Sequence, residues 1–166
     1  MTDSVRLLTP DDAAALRLLR LESLDAFPAA FATSTEEDAA RSVADFAAML
    51  ADPEATAVFG AFDGGELVGM AGYAREARLK MRHKAMLWGV YVRPACGGRR
   101  FGERLVQAVI DHARGRVELL GACVSTTNAR ARRVYFGLGF KSWGVEERAL
   151  KVDGPWADPN GRPEAD

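Results

Sequence analysis

The sequence predicts a mixed α+β fold, a single sheet with helices packed on its faces. Runs rich in β-forming residues alternate with segments whose apolar residues recur every three to four positions. The 166 residues fit one domain, and an apolar content of 48% is enough for a sizeable core. The element order is β-α-α-β-β-β-α-β-α-β, and about four helices are expected.

Charge and cysteine content narrow the class of function. A net charge of −1 and a pI near 6.2 argue against a general nucleic-acid binder. Cys96 and Cys123 do not make a disulfide framework, and His83 and His112 are isolated, so we expect no metal site. The sequence shows neither a signal peptide nor an apolar run of membrane length, which predicts a cytoplasmic protein without membrane contact.

The chain is expected to begin with a strand followed by a helix. Residues 5–8 alternate weakly between apolar and polar side chains, which favours a strand. Thr9 is a candidate N-cap, with Pro10 at the first helical position. The helix is expected to run to about Asp25, because residues 27–28 (FP) break it.

A second helical region follows. Ser34 or Thr35 can cap its start, and Ser42 either continues or restarts it up to Leu50. Three aromatic residues in this region are either part of the core or an apolar wall for a substrate: Phe27, Phe31 and Phe46.

The middle of the chain predicts three strands. Residues 56–62 and 66–73 are β-like, and residues 63–65 (DGG) between them indicate a tight hairpin. A basic stretch at 75–84 is read as a loop or strand end, and residues 85–92 are the next strand.

A glycine-rich turn follows this strand. Residues 96–102 (CGGRRFG) hold three glycines and two arginines, and a helix begins after them. Backbone amides at such a turn and at the helix N-terminus can bind phosphate, with Arg99 and Arg100 as mobile cations. The alternative is an ordinary solvated turn. Arginines at 93–104 and 130–133 form a local basic patch for which bound phosphate is a sufficient reason. The helix is read from an apolar face at Leu105, Val106, Val109, Ile110 and Ala113.

The last part of the chain predicts a strand, a helix and another strand. Residues 117–124 are read as a buried strand, and residues 125–128 (STTN) lead into the helix. Residues 140–152 are read as a further strand, followed by a turn at 153–155. The domain is therefore expected to span 1–155, with 156–166 as an irregular or disordered tail. The inner face of the helix is expected at Ala131, Val134, Tyr135 and Leu138.

Two blocks of sequence resemble the GNAT superfamily of N-acetyltransferases. The first is residues 89–94 (GVYVRP) with the glycine-rich turn. The second, residues 128–140 (NARARRVYFGLGF), matches the pattern Asn-x-x-Ala-x-x-x-Tyr-x-x-x-Gly-Phe at every named position. The resemblance implies a mostly antiparallel sheet with a V-shaped splay between its fourth and fifth strands. It also implies acetyl-CoA as co-substrate and direct transfer of the acetyl group to an amine.

The resemblance assigns roles to individual residues. Tyr135 is expected to protonate the CoA thiolate as a general acid, and Asn128 to bond the pantetheine arm. The N–H of Val90 or Tyr91 is expected to polarise the thioester carbonyl. Without the resemblance, Asn128 is a helix N-cap and Tyr135 a core residue. The expected cofactor-binding set is Val90, Tyr91, Val92, Gly97, Gly98, Arg99, Arg100, Phe101, Gly102, Glu103, Asn128 and Tyr135.

The sequence departs from the family pattern at two places. The phosphate turn is usually Gln/Arg-x-x-Gly-x-Gly/Ala, whereas these positions are Gly97, Arg100 and Gly102. If Arg100 needs a positive φ, the cost is about 1 kcal/mol. The polar residues 156–166 do not suit the family's final strand. Residues 140–152 are then expected to pair with the fifth strand or with a partner chain, which makes a homodimer possible.

The acceptor side of the reaction is less well defined by sequence. Glu22, Glu36 and Glu37 are candidate general bases, or solvated helix acids, and Cys96 is not expected to act as a nucleophile. The acceptor is a primary amine of a small molecule, peptide or protein. The competing hypothesis is a catalytically weakened acyl-CoA-binding or interaction module.

Overall fold

A computed structural model describes residues 2–151 and 156–157. These residues contain five α-helices and four 3-10 turns, one helix more than the sequence predicted. The strands are β1 (Asp3–Leu7), β2 (Thr56–Asp63), β3 (Glu66–Arg75), β4 (Lys84–Val92), β5 (Leu119–Ala122), β6 (Leu150–Lys151) and β7 (Trp156–Ala157). The helices are α1 (Ala13–Ala26), α2 (Thr35–Ala39), α3 (Val43–Leu50), α4 (Phe101–Ala113) and α5 (Ala129–Gly137).

The main sheet has five strands in the order β1-β2-β3-β4-β5. The first four are antiparallel, and β5 runs parallel to β4. The β4–β5 pairing begins at Lys84 with Leu119 and stops at Leu87 with Ala122. Because β4 continues to Val92, the two strands separate over its second half. The predicted splay between strands 4 and 5 is confirmed.

Two apolar clusters cover the two faces of the sheet. On one face, α4 buries Leu105, Val106 and Val109 against β2, β3 and β4. On the other face, α1 and α3 bury a second cluster that includes Leu16 and Phe46. Phe46 is 1% exposed, which settles its role as a core residue.

The predicted start signals work as caps. Asp12 accepts from the N–H of Thr9 at 2.8 Å where the first helical region begins. Ser34 accepts from the N–H of Glu37 at 3.2 Å, and Ser42 accepts from that of Asp45 at 3.1 Å. Ser42 therefore restarts the chain as a separate α3 rather than extending α2.

The end of the chain differs from the prediction. Over the described residues 140–151 the predicted strand is wrong, because residues 141–149 are exposed and irregular and only Leu150–Lys151 is a strand there. That short strand pairs with Trp156–Ala157 and not with β5. Within the described residues, β5 is therefore an edge strand of the main sheet. Four of the nine residues at 141–149 are charged, and the two large apolar side chains there, Trp143 and Val145, are exposed rather than buried against β5. Residues 152–155 and 158–166, which include the predicted turn and most of the predicted tail, lie outside the described residues. None of the helices described is long and apolar enough to cross a membrane.

Candidate active site: the cleft between β4 and β5

A bulge in β4 lies at the point where β5 departs. Met70 of β3 pairs with Tyr91, but Gly72 pairs with Trp88, so β4 has one extra residue between them. Gly89 takes a φ of +63°, which favours glycine. A bulge leaves its extra residue without a ladder partner. Near residue 89, the backbone N–H and C=O groups of β4 are therefore outside the regular pairing with β3 and beyond the end of the pairing with β5.

The splay forms a cleft with walls from four parts of the chain. β4 contributes residues 87–90, the segment after β5 contributes residues 123–125, and the segment after α1 contributes Phe31. The fourth part is α5 with its N-cap, through Asn128, Ala131 and Tyr135. The cleft therefore brings together three of the twelve predicted cofactor-binding residues, Val90, Asn128 and Tyr135.

Tyr135 is held in a mostly apolar environment. Its side chain is 8% exposed, and its ring lies 5.5 Å from that of Phe140. Burial, with a smaller effect of the neighbouring Cys123 thiol, raises the pKa of Tyr135 to about 12. The phenol is therefore protonated at neutral pH, as a proton donor in the cleft must be.

Asn128 serves as the N-cap of α5. Its Oδ1 accepts from the N–H of Ala131 at 3.1 Å. The cap uses the carbonyl oxygen of the side chain and leaves the Nδ2 donors for another partner. Capping and ligand binding are thus compatible at this residue, although the sequence presented them as alternatives.

The glycine-rich turn is a 3-10 turn over Pro94–Arg99 that leads directly into α4. Arg100 adopts a left-handed conformation, with φ 57° and ψ 24°. Both of the predicted mobile cations, Arg99 and Arg100, are paired with carboxylates. Arg99 contacts Asp63 at 2.6 Å and Asp3 at 3.2 Å, and Arg100 Nε donates to Glu103 at 2.8 Å. Both arginines therefore already meet carboxylates.

A third arginine, which sequence reasoning did not single out, contacts the turn from α5. Arg130 Nη2 donates to the carbonyl oxygen of Gly97 at 2.7 Å. A Cβ on Gly97 would lie 3.0 Å from that Nη2, so the missing side chain makes room for Arg130. Within the described residues Arg130 has no carboxylate partner. Two features of the sequence point to this contact: the basic run at 130–133, and the glycine at position 97, where the family pattern usually has Gln or Arg.

The other predicted cofactor residues differ in what they can offer. The side chains of Tyr91 and Phe101 are buried in the two cores, at 6% and 1% exposure, so only their backbone groups are available. A Cβ on Gly98 or Gly102 would touch nothing within 4 Å, so this side of the turn is open. Val92 is half-buried and pairs with Gly69, and Glu103 is held by Arg100.

The three candidate bases do not line the cleft. Glu22 accepts from Tyr91 Oη at 3.1 Å and is ion-paired with Arg93 at 3.0 Å. Glu37 caps α2 through the N–H of Ser34, and Glu36 is exposed. Among the cysteines, exposed Cys123 rather than Cys96 lines the cleft.

Other depressions and clusters add little to this site. A wider depression lies beside the start of β4, lined by residues such as Arg75, Arg82 and Arg116, and none of the predicted site residues lines it. In the part of the chain that the structure describes, no group of three or more His, Cys, Asp or Glu could hold a metal ion.

Comparison with known proteins shows which family and fold this chain shares. N-alpha-acetyltransferase RimI of Mycobacterium tuberculosis (strain ATCC 25618 / H37Rv) is 38% identical over 95 residues, which are 57% of this chain and 58% of the relative. The match thus spans little more than half the length of that protein. An acetyltransferase of the GNAT family from Streptococcus pneumoniae shares the fold with a TM-score of 0.82 and 22% identity, over 93% of this chain and 94% of the other.

A second solved structure, yncA from Salmonella typhimurium with its cofactor acetyl-CoA, has a TM-score of 0.76 at 21% identity, over 94% of this chain and 89% of the other. The sequence profile of the Acetyltransferase (GNAT) family matches residues 16–140. The chain therefore belongs to the GNAT acetyltransferase family.

Proposed function

We propose that this protein transfers the acetyl group of acetyl-CoA directly to a primary amine of a small molecule, peptide or protein. The observation that carries the proposal is the position of Tyr135, buried and protonated in the cleft opposite the bulge of β4. Family membership and the cofactor of the yncA structure support acetyl-CoA as the donor.

The donor's thioester supplies the activated acyl group. The N–H of Val90 or Tyr91 donates to the thioester carbonyl oxygen and stabilises the negative charge that develops there. Other backbone groups of Val90 and Val92 bond the pantetheine arm, together with the Nδ2 group of Asn128. The interrupted pairing of β4 supports these roles, because backbone groups in a regular sheet are already bonded.

The acetyl transfer needs three proton movements. The acceptor ammonium first loses a proton to solvent, since none of the three candidate carboxylates reaches the cleft. The amine nitrogen then bonds to the carbonyl carbon and releases a second proton to water, while the C–S bond breaks and the electron pair of that bond goes to sulfur. Tyr135 Oη donates a proton to this thiolate and regains one from water.

The pyrophosphate of the donor is proposed to bind at the glycine-rich turn. The amides of residues 97–102 and the first turn of α4 supply N–H donors, including those of Gly98, Phe101, Gly102 and Glu103. Arg130 supplies the charge, because Arg99 and Arg100 are already paired with carboxylates. This arrangement compensates for the glycine at position 97, because the cation at the turn comes from Arg130 of α5 instead of from residue 97.

The acceptor binds at the end of the cleft formed by Phe31 and Trp88. The name of the M. tuberculosis relative supports an α-amine, but its match covers only part of each chain.

We also propose that 1–155 is one catalytic domain acting in the cytoplasm, for which the unpaired cysteines give some support. A homodimer through the unpaired edge of β5 is a further proposal, and monomers at high concentration in light scattering would contradict it.

Tyr135→Phe tests the catalytic assignment. The variant should bind CoA as tightly as the wild type in isothermal titration, while turnover falls on the order of a hundredfold. Turnover is measured as free-thiol release from acetyl-CoA across an amine panel. Phe136→Leu, a change at the exposed neighbouring position, is the matched control. Unchanged turnover in Tyr135→Phe would remove the general-acid role, and no thiol release by the wild type would favour a binding module.

A further inference from the structure

Arg20 is a buried cation beside Phe31 and Trp88, where the acceptor is proposed to bind. It is 7% exposed, and its Nε donates to Asp38 Oδ2 at 2.8 Å. Its guanidinium lies 5.0 Å from the ring centre of Phe31 and 5.5 Å from that of Trp88. Both aromatic residues line the cleft, so Arg20 lies directly behind its wall.

One donor of this arginine has no partner among the residues that the structure describes. Arg20 Nη1 is buried without a hydrogen bond, and so is Nε1 of Trp88 beside it. Nη1 also faces the bulge, since a Cβ on Gly89 would lie 3.2 Å from it and close to no other atom. A buried donor of a charged group is costly to leave unsatisfied, and such a group in a native site calls for a partner.

The charges around Arg20 do not balance. Asp38 is shared between Arg20 at 2.8 Å and Arg41 at 3.4 Å, so two cations meet a single carboxylate. Asp38 is 3% exposed, whereas the side chain of Arg41 is 38% exposed, so water and salt screen the charge of Arg41 much more than that of Arg20. An anion entering from the cleft would supply both the missing acceptor and the missing negative charge.

We propose that the acceptor carries a carboxylate close to its amino group and that Arg20 binds it. The inference rests on the proposed acetyltransferase function and names the substrate class for that same site. A planar carboxylate matches the fork of N–H donors on a guanidinium. The guanidinium lies 5.0 Å from the ring centre of Phe31, which lines the cleft, so acceptor binding moves this ring aside and the carboxylate replaces it on the guanidinium. Phe31 follows a short 3-10 turn, Pro28–Ala30, rather than lying within a helix or strand.

Two kinds of amine offer this chemistry. A free amino acid has its α-carboxylate next to the amine, and a peptide can offer an acidic side chain on its first residue. A polycationic acceptor would meet the unbalanced positive charge of Arg20 and Arg41 and is disfavoured.

The experiment compares acceptors that differ only in this charge. Glycine is paired with glycinamide, and a peptide beginning with Asp is paired with one beginning with Asn. The ratio of kcat/KM within each pair is measured for the wild type, Arg20→Met and Arg20→Lys. Both members of a pair are measured on one preparation, so the folded fraction of a variant does not affect the ratio of kcat/KM. The two amines of a pair differ in pKa, but this difference affects the ratio equally in every variant, so a change in the ratio between variants does not come from it.

Arg17→Met is the matched control. Arg17 lies on the same helix and donates to the carbonyls of Arg41 and Ala39 at 2.8 and 3.0 Å, but it does not line the cleft. The wild type and Arg17→Met should prefer the carboxylate member of one pair by tenfold or more, in line with a bond to a charged group. Arg20→Met should lose that preference, and Arg20→Lys should keep part of it. The preferred pair identifies which source of carboxylate binds.

Two results overturn the proposal: a wild type that acetylates amines without any carboxylate preference, or a preference that survives in Arg20→Met. The first needs no variant, so the proposal stays testable even if Arg20→Met does not fold. Failure of the wild type to release thiol with any amine would instead contradict the proposed function.

Discussion

Arg130 offers the sharpest test of how this cleft holds its donor. Three arginines lie in or against the glycine-rich turn. Arg99 and Arg100 are bonded to carboxylates, whereas within the described part of the chain Arg130 bonds only to the carbonyl oxygen of Gly97. A pyrophosphate at the turn would therefore gain a new charge–charge contact from Arg130 alone. Arg130→Met removes this charge and retains most of the side-chain length.

The size of the effect follows from the exposure of Arg130. A hydrogen bond to a charged group contributes about 1.5–3 kcal/mol. Arg130 is exposed, so water and salt screen its charge, and we take the lower end of this range. A loss of about 1.5 kcal/mol corresponds to roughly a tenfold rise in Kd for CoA. The effect should shrink as ionic strength rises.

Titration calorimetry with CoA, in the absence of an acceptor amine, measures this Kd directly. Arg99→Met and Arg100→Met are matched controls in the same turn and should change Kd by less than about threefold, because each removes a charge already neutralised by a carboxylate. Acetyl-pantetheine, which lacks the pyrophosphate, should bind Arg130→Met and the wild type equally. An unchanged Kd for CoA in Arg130→Met would refute the assignment. Equal losses with both ligands would show that Arg130 only shapes the turn.

Three further predictions concern the bulge, the cleft wall and the core. Gly89→Ala should destabilise the fold by about 1–2 kcal/mol in urea unfolding, because its φ of +63° is strained for alanine, and it should lower turnover by displacing residue 90. Acetyl-CoA should slow the alkylation of Cys123, measured by mass spectrometry of a Cys96→Ser protein, and equal rates with and without ligand would contradict the proposed donor site. Burial lowers the pKa of His112 in the folded state, so the unfolded state binds more protons and stability falls as pH drops below the ordinary histidine value of 6.5. His112→Gln should make the urea midpoint depend less on pH between pH 7.5 and pH 5. A pH dependence of the midpoint as steep as that of the wild type would contradict this role of His112.

Local chemistry explains why much of the fold was predictable. Ser34 and Ser42 cap the helices that follow them, and the glycines at 64 and 65 adopt positive φ in the predicted hairpin. The apolar face of α4 is buried along its whole length because its spacing follows the helical repeat. Each of these signals depends on a few neighbouring residues, and a sequence displays them directly.

Features that depend on partners distant in sequence could not be predicted. The segment at 140–149 contains enough β-forming residues to suggest a strand, but no neighbouring strand pairs with it in the described residues. Likewise, Arg99 and Arg100 look like free cations until the structure brings Asp63 and Glu103 to them. The contact between Arg130 and Gly97 joins residues 33 positions apart, and neither residue alone indicates it.

The two arginines proposed for ligand binding divide the cleft by function. Arg130 lies at the turn and is proposed to hold the donor, whereas Arg20 lies behind Phe31 and Trp88 and is proposed to select the acceptor. They share no contact partner among the described residues, and their side chains belong to α5 and α1 on opposite faces of the sheet. Substitutions at sites without shared partners usually add within about 0.5 kcal/mol. The double variant Arg20→Met/Arg130→Met should therefore show the CoA affinity of one single variant and the acceptor ratio of the other. A larger loss in either quantity would mean that donor and acceptor sites are coupled through β4, whose bulge lies between them.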